Sequence, residues 1–327
     1  MKLYKIFRKP PFFMSASHYL KKDDNPLKSG TKSRKAVIIP LILMQYGSMK
    51  DKIKASTSTK PEIVASIKSM LKSAKQLTYN PKQGKTHIDK DTLTELESYA
   101  LELGVSQIGY TKVNPNFIFE GFEILYDNAM VLTMEMERVA MKSAPSETAT
   151  GEIWRTYSGL GDIVNKLAEF LRKRGYNCHP SPAFGGDVCT PPLAQDASIG
   201  AIGKNGLLIT PEFGPSHRIA AVFIDVDNLP VKTLEDNEHL WIKDFCEICN
   251  VCVKHCPGQA IYEQTRTLND GYPEYIDREK CAPHFSKNCS TCITVCPFIN
   301  GNYNKMKLAF EKKEKTKNKI SMIVHSR

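Results

Sequence analysis

The sequence predicts an α/β core followed by a small cysteine-rich unit. Two observations predict it. Helical and strand patterns alternate through residues 86–240, and eight of the chain's ten cysteines fall between positions 246 and 296. With 327 residues, 41% hydrophobic and 24% charged, and a mean hydropathy of −0.34, the composition is that of a soluble globular chain able to bury a sizeable core.

The net charge of +10 is unevenly placed. Residues 1–86 carry 19 Lys/Arg against 4 Asp/Glu and residues 301–327 carry 8 against 2, which leaves the body between them at −11. A nucleic-acid footprint needs its basic stripe on a folded face, whereas basic tails on an acidic body are solvated extensions or contacts to an acidic partner. Nucleic acid is therefore not an expected partner. Residues 1–85 read as a basic, partly ordered extension and 304–327 as a basic tail. Within the extension, the apolar run Ala36 to Met44 is interrupted by Pro40 and falls well short of the roughly 20 residues that span a bilayer. No paired arginines of twin-arginine export accompany it. It reads as a strand or docking arm, with no transmembrane segment and a cytoplasmic location expected.

A helix follows at "TLTELESYALELG", where Leu93, Leu96, Ala100 and Leu103 share one face, Thr92 and Glu95 suit a capping box, and Gly104 ends the run. "VSQIGYTKV" and "AMVLTMEM" read as strands. "DIVNKLAEFLRKRG" reads as a second amphipathic helix closed by Gly175, with Asp162 at its N-terminus where the helix dipole favours a carboxylate. "GLLITP" and "RIAAVFIDVD" complete the strand set.

The cysteines carry the chemistry. "CEICNVCVKHCPGQAIY", from Cys246 to Tyr262, has the C-x2-C-x2-C-x3-C-P spacing in which three thiolates hold one [4Fe-4S] cube and the fourth reaches a second cube. "CAPHFSKNCSTCITVCPFIN" supplies the remainder. A crossed arrangement follows: Cys246, Cys249, Cys252 and Cys296 for one cluster, and Cys256, Cys281, Cys289 and Cys292 for the other. A zinc site closes with four ligands and has no use for a third cysteine at the next step or for the following proline. Disulfides would need an oxidising compartment. The seven residues between Cys281 and Cys289 depart from the simple repeat. Cys178 and Cys189 stand outside both quartets as ordinary thiols, and His179, His217, His255 and His284 read as loop or core histidines.

The blocks "VLTMEMERVAMKSAPSETATGEIWRTYSGLGD", "GKNGLLITPEFGPSHRIAAVFIDVD" and the two cysteine runs resemble, in order and spacing, the catalytic part of corrinoid-dependent reductive dehalogenases across about Glu95 to Asn300. That superfamily includes the epoxyqueuosine reductases. The resemblance implies a mixed α+β fold: an α/β-like, nitroreductase-type core at 86–240 holding cobalamin without a protein ligand below cobalt, and a C-terminal ferredoxin-like domain at 241–303 with two [4Fe-4S] clusters. The lack of any D-x-H-x-x-G segment agrees with such a cobalamin. The resemblance further implies a low-potential electron donor of the ferredoxin or flavodoxin type and a small organic substrate, halogenated in the dehalogenase branch.

Such chemistry needs a proton donor and a positive group beside the leaving atom. Tyr157 in "WRTYSGLGD" and Arg218 in "GPSHRI" are the candidates. Gly203, Lys204, Asn205 and Gly206 are the candidates for the corrinoid's amide and phosphate groups, with lysine where the family usually carries arginine. Two alternatives stay open. The epoxyqueuosine branch would add a Tyr-His after the aspartate of "YSGLGD", a longer segment before the last cysteine run and a longer C-terminal extension. A plain electron carrier would have lost the corrinoid.

Overall fold

The computed structural model describes residues 19–21, 24–33, 60–285 and 287–313. The apolar run Ala36 to Met44, and residues 314–327 of the basic tail, lie outside the described residues. Among the described residues, no helix is long and apolar enough to cross a membrane.

Four strands form the central sheet: β1 (Gln107–Lys112), β2 (Asn128–Glu135), β3 (Cys178–Ser181) and β4 (His217–Ile224), in the spatial order β1-β2-β4-β3. Every neighbouring pair is antiparallel. The alternation of helix and strand therefore builds an antiparallel sheet within an α+β fold rather than a parallel one. The reason is topological: β2 and β3, joined by a long helix, run parallel to each other, and β4 inserts between them. Both faces of the sheet are covered, and this is why β4 reads as one apolar run. Ala220, Val222 and Ile224 meet Met130 and Leu132 on one face; Ile219, Ala221 and Phe223 meet Ala129 and Val131 on the other. The short helix Thr190–Asp196 covers the second face through Leu193 and Ala194.

Helices α1 (Lys60–Lys75), α2 (Lys90–Glu102) and α3 (Glu147–Lys173) cover the first face or back those that do. Helix α2 buries Leu96 and Ala100 as its pattern predicts, with Leu93 and Leu103 packed beside them. Its cap differs from expectation: Asp89, not Thr92, is the N-cap, its carboxylate accepting from the Thr92 amide at 2.8 Å and the Thr92 hydroxyl at 2.7 Å. Gly104 follows with φ +102°.

Helix α3 is the larger correction. It starts 15 residues before the predicted Asp162, with Ser146 capping the Ala149 amide and Arg172 and Lys173 in the last turn. Leu160, Ile163, Val164, Leu167 and Leu171 face the sheet, each fully buried side chain contributing about 1.5–3 kcal/mol. Asp162 is thus a mid-helix residue, paired with Lys166 at 2.7 Å one turn on, and not a first-turn carboxylate. Gly159 and Gly161 punctuate the sequence pattern, and tertiary packing overrides them. A Cβ at Gly161 would lie 2.8 Å from the Ser69 Cβ, so glycine there lets α1 cross α3 closely. Asn165 fastens the same crossing by donating to the Ser69 carbonyl at 3.0 Å.

The cysteine-rich unit has short helices at Trp241–Cys249, Val251–His255, Arg278–Phe285 and Thr291–Thr294, and one hairpin, Ile261–Thr267 with Pro273–Ile276. It shares an apolar cluster with the core: Ala201 and Ile209 pack with Ile242, Phe298 and Tyr303. At Gly214 (φ +57°) a Cβ would sit 2.6 Å from the Phe298 carbonyl carbon, so the two backbones touch there.

The tight crossing predicts that Gly161→Ala lowers the melting temperature, although alanine in a helix interior is ordinarily favoured. Overpacking of about 1–3 kcal/mol outweighs a propensity gain of about 0.5–1 kcal/mol. Adding Ser69→Gly should recover the loss; a single variant melting at or above wild type would mean that the helices are not in close contact.

Candidate functional site

Local chain geometry delivers the eight cysteines. Cys246 and Cys249 lie three apart on helix Trp241–Cys249, which stops at Asn250 in the left-handed region, φ 49°. The next short helix, Val251–His255, carries Cys252 and ends at Cys256. The prolines after Cys256 and Cys296 hold both cysteines extended, at ψ 113° and 126°, and so turn the chain away. The seven-residue gap is absorbed by helix Arg278–Phe285, which carries Cys281; Cys289 and Cys292 follow after the left-handed Asn288.

The thiols fall into two neighbouring groups. Cys246, Cys249, Cys252 and Cys296 line one cavity together with Lys204, Asn205, Phe245 and Phe298. Burial pushes the Cys246 thiol up to about 12, an amide hydrogen bond from Lys204 counters it, and charge on Cys252 and Cys249 adds to the rise. Burial likewise pushes Cys292 up to about 12, with Cys281 and Cys289 the nearest charges, then Cys252 and Cys256. Burial and then Cys256 and Cys289 push Cys281 up to about 11. Among the described residues, no three Cys, His, Asp or Glu side chains converge as a single bound ion requires. Four thiols around a cavity larger than an ion, with no carboxylate or imidazole among its lining residues, fit a cluster donor set.

The turn at Gly203–Gly206 joins two short strands, Ala201–Ile202 and Leu208–Ile209. Its side chains are engaged with the cysteine segments. The Lys204 ammonium donates to Glu247 Oε2 at 2.8 Å and Asn250 Oδ1 at 2.9 Å. Asn205 Nδ2 donates to the Cys292 carbonyl at 3.2 Å, and its Oδ1 accepts from the Leu207 amide. The turn is wedged between the two cysteine groups.

Tyr157 and Arg218, 61 positions apart in the sequence, meet: the Arg218 guanidinium carbon lies 4.7 Å from the Tyr157 ring centroid. Helix α3 presents Tyr157 beyond the sheet, and Arg218 stands at the start of β4 opposite Met134. Trp154 and Phe184 complete an aromatic box, with centroids 5.6 Å and 5.8 Å from Tyr157. The Tyr157 hydroxyl makes no hydrogen bond among the described residues, and Arg218 Nε is buried without a partner. Tyr157 also packs against the apolar cluster of Ile153, Ile293 and Ile299 that Cys292 and Leu207 flank. An aromatic hydroxyl and an orphaned guanidinium nitrogen thus converge next to the second cysteine group.

Sequence reasoning missed Trp154 and Phe184. The i,i+3 spacing of Trp154 and Tyr157 was a usable signal; Phe184 had none. Of the other histidines, His179 is fully buried, its Nε2 3.0 Å from Asp187 Oδ2 and its Nδ1 accepting from the Leu125 amide, as a core residue would be. Burial pushes the Cys178 thiol up to about 12, in keeping with an inert thiol.

No family profile matches the chain. It is 32% identical over 209 residues to a tetrachloroethene reductive dehalogenase of Desulfitobacterium hafniense, an alignment covering 59% of the chain and 36% of that protein. It is 25% identical over 261 residues to the epoxyqueuosine reductase of Listeria monocytogenes, covering 64% of the chain and 65% of the relative. In three dimensions it resembles the catabolic reductive dehalogenase NpRdhA in complex with 3-bromo-4-hydroxybenzoic acid, with TM-score 0.70 and 17% identity over 98% of the chain and 50% of that structure. The chain spans about a third of the length of the dehalogenase relatives it matches. The resemblance to reductive dehalogenases therefore holds in sequence and in fold, and the epoxyqueuosine reductases share it in sequence.

His217, 5% exposed and next to Arg218, gives this site a pH signature. Burial first, then the Arg218 charge, holds its imidazole down at about 3, opposed by a hydrogen bond to the Gly214 backbone. In the unfolded chain the group titrates near 6.5. Its contribution to stability is present above about pH 6.5 and is lost as pH falls towards 3, because only the unfolded state takes up the proton. His217→Gln should flatten the pH dependence of unfolding free energy over that window by up to about 1.4 kcal/mol per pH unit. Parallel wild-type and variant curves would show that His217 is not held neutral.

Proposed function

We propose that the chain is an iron-sulfur oxidoreductase of the reductive dehalogenase type. It would use two [4Fe-4S] clusters in a ferredoxin-like unit, and cobalamin, to replace a substituent on a small organic molecule by hydrogen. The observation that carries this reading is the convergence of Tyr157 and Arg218 beside the second cysteine group. Cys246, Cys249, Cys252 and Cys296 would hold one cluster and Cys256, Cys281, Cys289 and Cys292 the other. A low-potential donor of the ferredoxin or flavodoxin type would supply electrons. For a corrinoid, the Gly203–Gly206 turn has only its backbone to offer, since Lys204 and Asn205 are engaged with the cysteine segments.

Cobalamin, when bound, supplies a reducing power that no side chain can imitate. The chain's own residues do the rest. Reduction of R–X to R–H consumes two electrons and one proton and releases X⁻. Tyr157 Oη donates that proton to the carbon losing its substituent. The guanidinium over its ring face stabilises the tyrosinate left behind, and in this low-dielectric box the effect is larger than in water. Arg218 Nε, with no protein acceptor, is free to donate to the departing anion. Trp154 and Phe184 exclude water and give an apolar wall suited to an aryl or alkenyl substrate.

The epoxyqueuosine reading draws on the longer alignment to that relative. Against it, the Asp162 carboxylate lies on the exposed side of α3, paired with Lys166, and is not part of the aromatic box around Tyr157. An electron carrier without corrinoid stays open because Lys204 serves the cysteine segments.

Anaerobic reconstitution with cobalamin followed by gel filtration should leave a corrinoid spectrum with the protein; loss of all corrinoid would sink both enzyme readings. Iron analysis should give about eight irons per chain. Cys249→Ser and Cys292→Ser should each disturb a different cluster, and loss of all iron from a folded single variant would break the assignment of separate ligand sets. Tyr157→Phe should keep both cofactors and the fold while turnover of an aryl or alkenyl halide falls roughly 100-fold to 10,000-fold. Near-equal rates at full loading would move the proton donor elsewhere.

A further inference from the structure

Lys204 is the only lysine or arginine among the described residues that is buried, at 4% exposure. Such a charge is costly to desolvate unless something nearby repays it. Its partners identify that something. Glu247 lies between Cys246 and Cys249, and Asn250 between Cys249 and Cys252, so the ammonium is clamped to the segment carrying three thiols of the first group. The residue also lines the cavity that all four thiols share. The counter-charge is lopsided: the Lys204 side chain is 1% exposed and that of Glu247 55% exposed. Water screens the carboxylate far more than the ammonium, leaving a net positive field in the cavity. Among the described residues, the second group has no equivalent buried cation. From the same turn it receives only the neutral amide of Asn205, and Lys280 beside Cys281 is 60% exposed and near Asp277.

We propose that Lys204 is a potential-setting residue: its buried charge raises the reduction potential of the cluster at Cys246, Cys249, Cys252 and Cys296 above that of the cluster at Cys256, Cys281, Cys289 and Cys292. This rests on the cluster reading proposed above. Reduction adds negative charge to a cube already surrounded by thiolates, so a fixed cation favours the reduced form. The first cluster then fills first and acts as the electron reservoir. The second, which flanks the apolar wall of Tyr157, stays the stronger reductant where the chemistry needs it.

The test is an anaerobic redox titration of the reconstituted full chain, followed by electron paramagnetic resonance, with Cys249→Ser identifying which signal belongs to the first cluster. Lys204→Met should lower that cluster's reduction equilibrium about tenfold, which is about 59 mV for a one-electron couple, and leave the other unmoved. Lys204→Arg should restore it. Glu247→Gln, which removes the opposing carboxylate, should shift the same couple upward, and it carries the test should Lys204→Met lose iron. An unmoved first cluster, equal shifts in both clusters, or a downward shift in Glu247→Gln would each overturn the proposal. Wild-type protein that forms no cube signal at all would overturn the cluster reading and this inference together, whereas cubes insensitive to Lys204 would overturn only the latter.

Discussion

The packing of helix α3 across the sheet is the constraint on which the rest of the molecule depends. Its C-terminal half, from Leu160 to Leu171, is held against Met130, Leu132, Ala220 and Val222, and that contact fixes the helix axis. The N-terminal half then has no freedom of its own: a rigid rod of 27 residues carries Trp154 and Tyr157 past the sheet to the start of β4. Arg218 is placed by the same sheet, in register with Met134. The two candidate chemical groups are thus located by one packed interface and not by loops, and rigid elements hold such groups more precisely.

The cysteine-rich unit is positioned by a second device, the Gly203–Gly206 turn. Lys204 binds the segment bearing the first cysteine group, Asn205 binds the Cys292 carbonyl, and Leu207 enters the apolar cluster of Ile293 and Ile299. Close backbone contact at Gly214 and Phe298 locks the neighbouring edge. The two thiol groups are therefore registered against the core from which Tyr157 projects, which suits a route for electrons over a short distance.

What could be read in the sequence was what depends on neighbours along the chain. The cysteine phasing and its prolines are local, and so are the period of α2 and the apolar runs of β2 and β4. What could not be read depends on partners distant in sequence. The true start of α3 is one case, because the reason for glycine at 159 and 161 is Met134 and Ser69 on other elements. The antiparallel placement of β4 between β2 and β3 is invisible to periodicity. The engagement of Lys204 with Glu247 and Asn250, 43 and 46 positions further on, has no signature near it in the sequence. Tyr157 and Arg218 were found through resemblance, and only the fold brings them within 4.7 Å.

Two consecutive residues of β4, His217 and Arg218, each leave a buried nitrogen unpaired, Nδ1 and Nε. An unsatisfied buried polar atom costs about 1–3 kcal/mol, so two adjacent ones need a reason. Side chains alternate across a strand, and the two atoms therefore serve opposite faces. On the His217 side the imidazole is held neutral, so the cost is that of a polar group and adds no charge to the region. On the Arg218 side the guanidinium keeps its charge and faces the aromatic box. The strand start thus concentrates its positive field on one face, beside the Tyr157 ring. A departing anion and a tyrosinate are the two species that would supply what Arg218 lacks, and both arise only when the reaction proposed for this site takes place. The unpaired donor is consistent with a site made complementary to the reacting state, as electrostatic preorganisation requires.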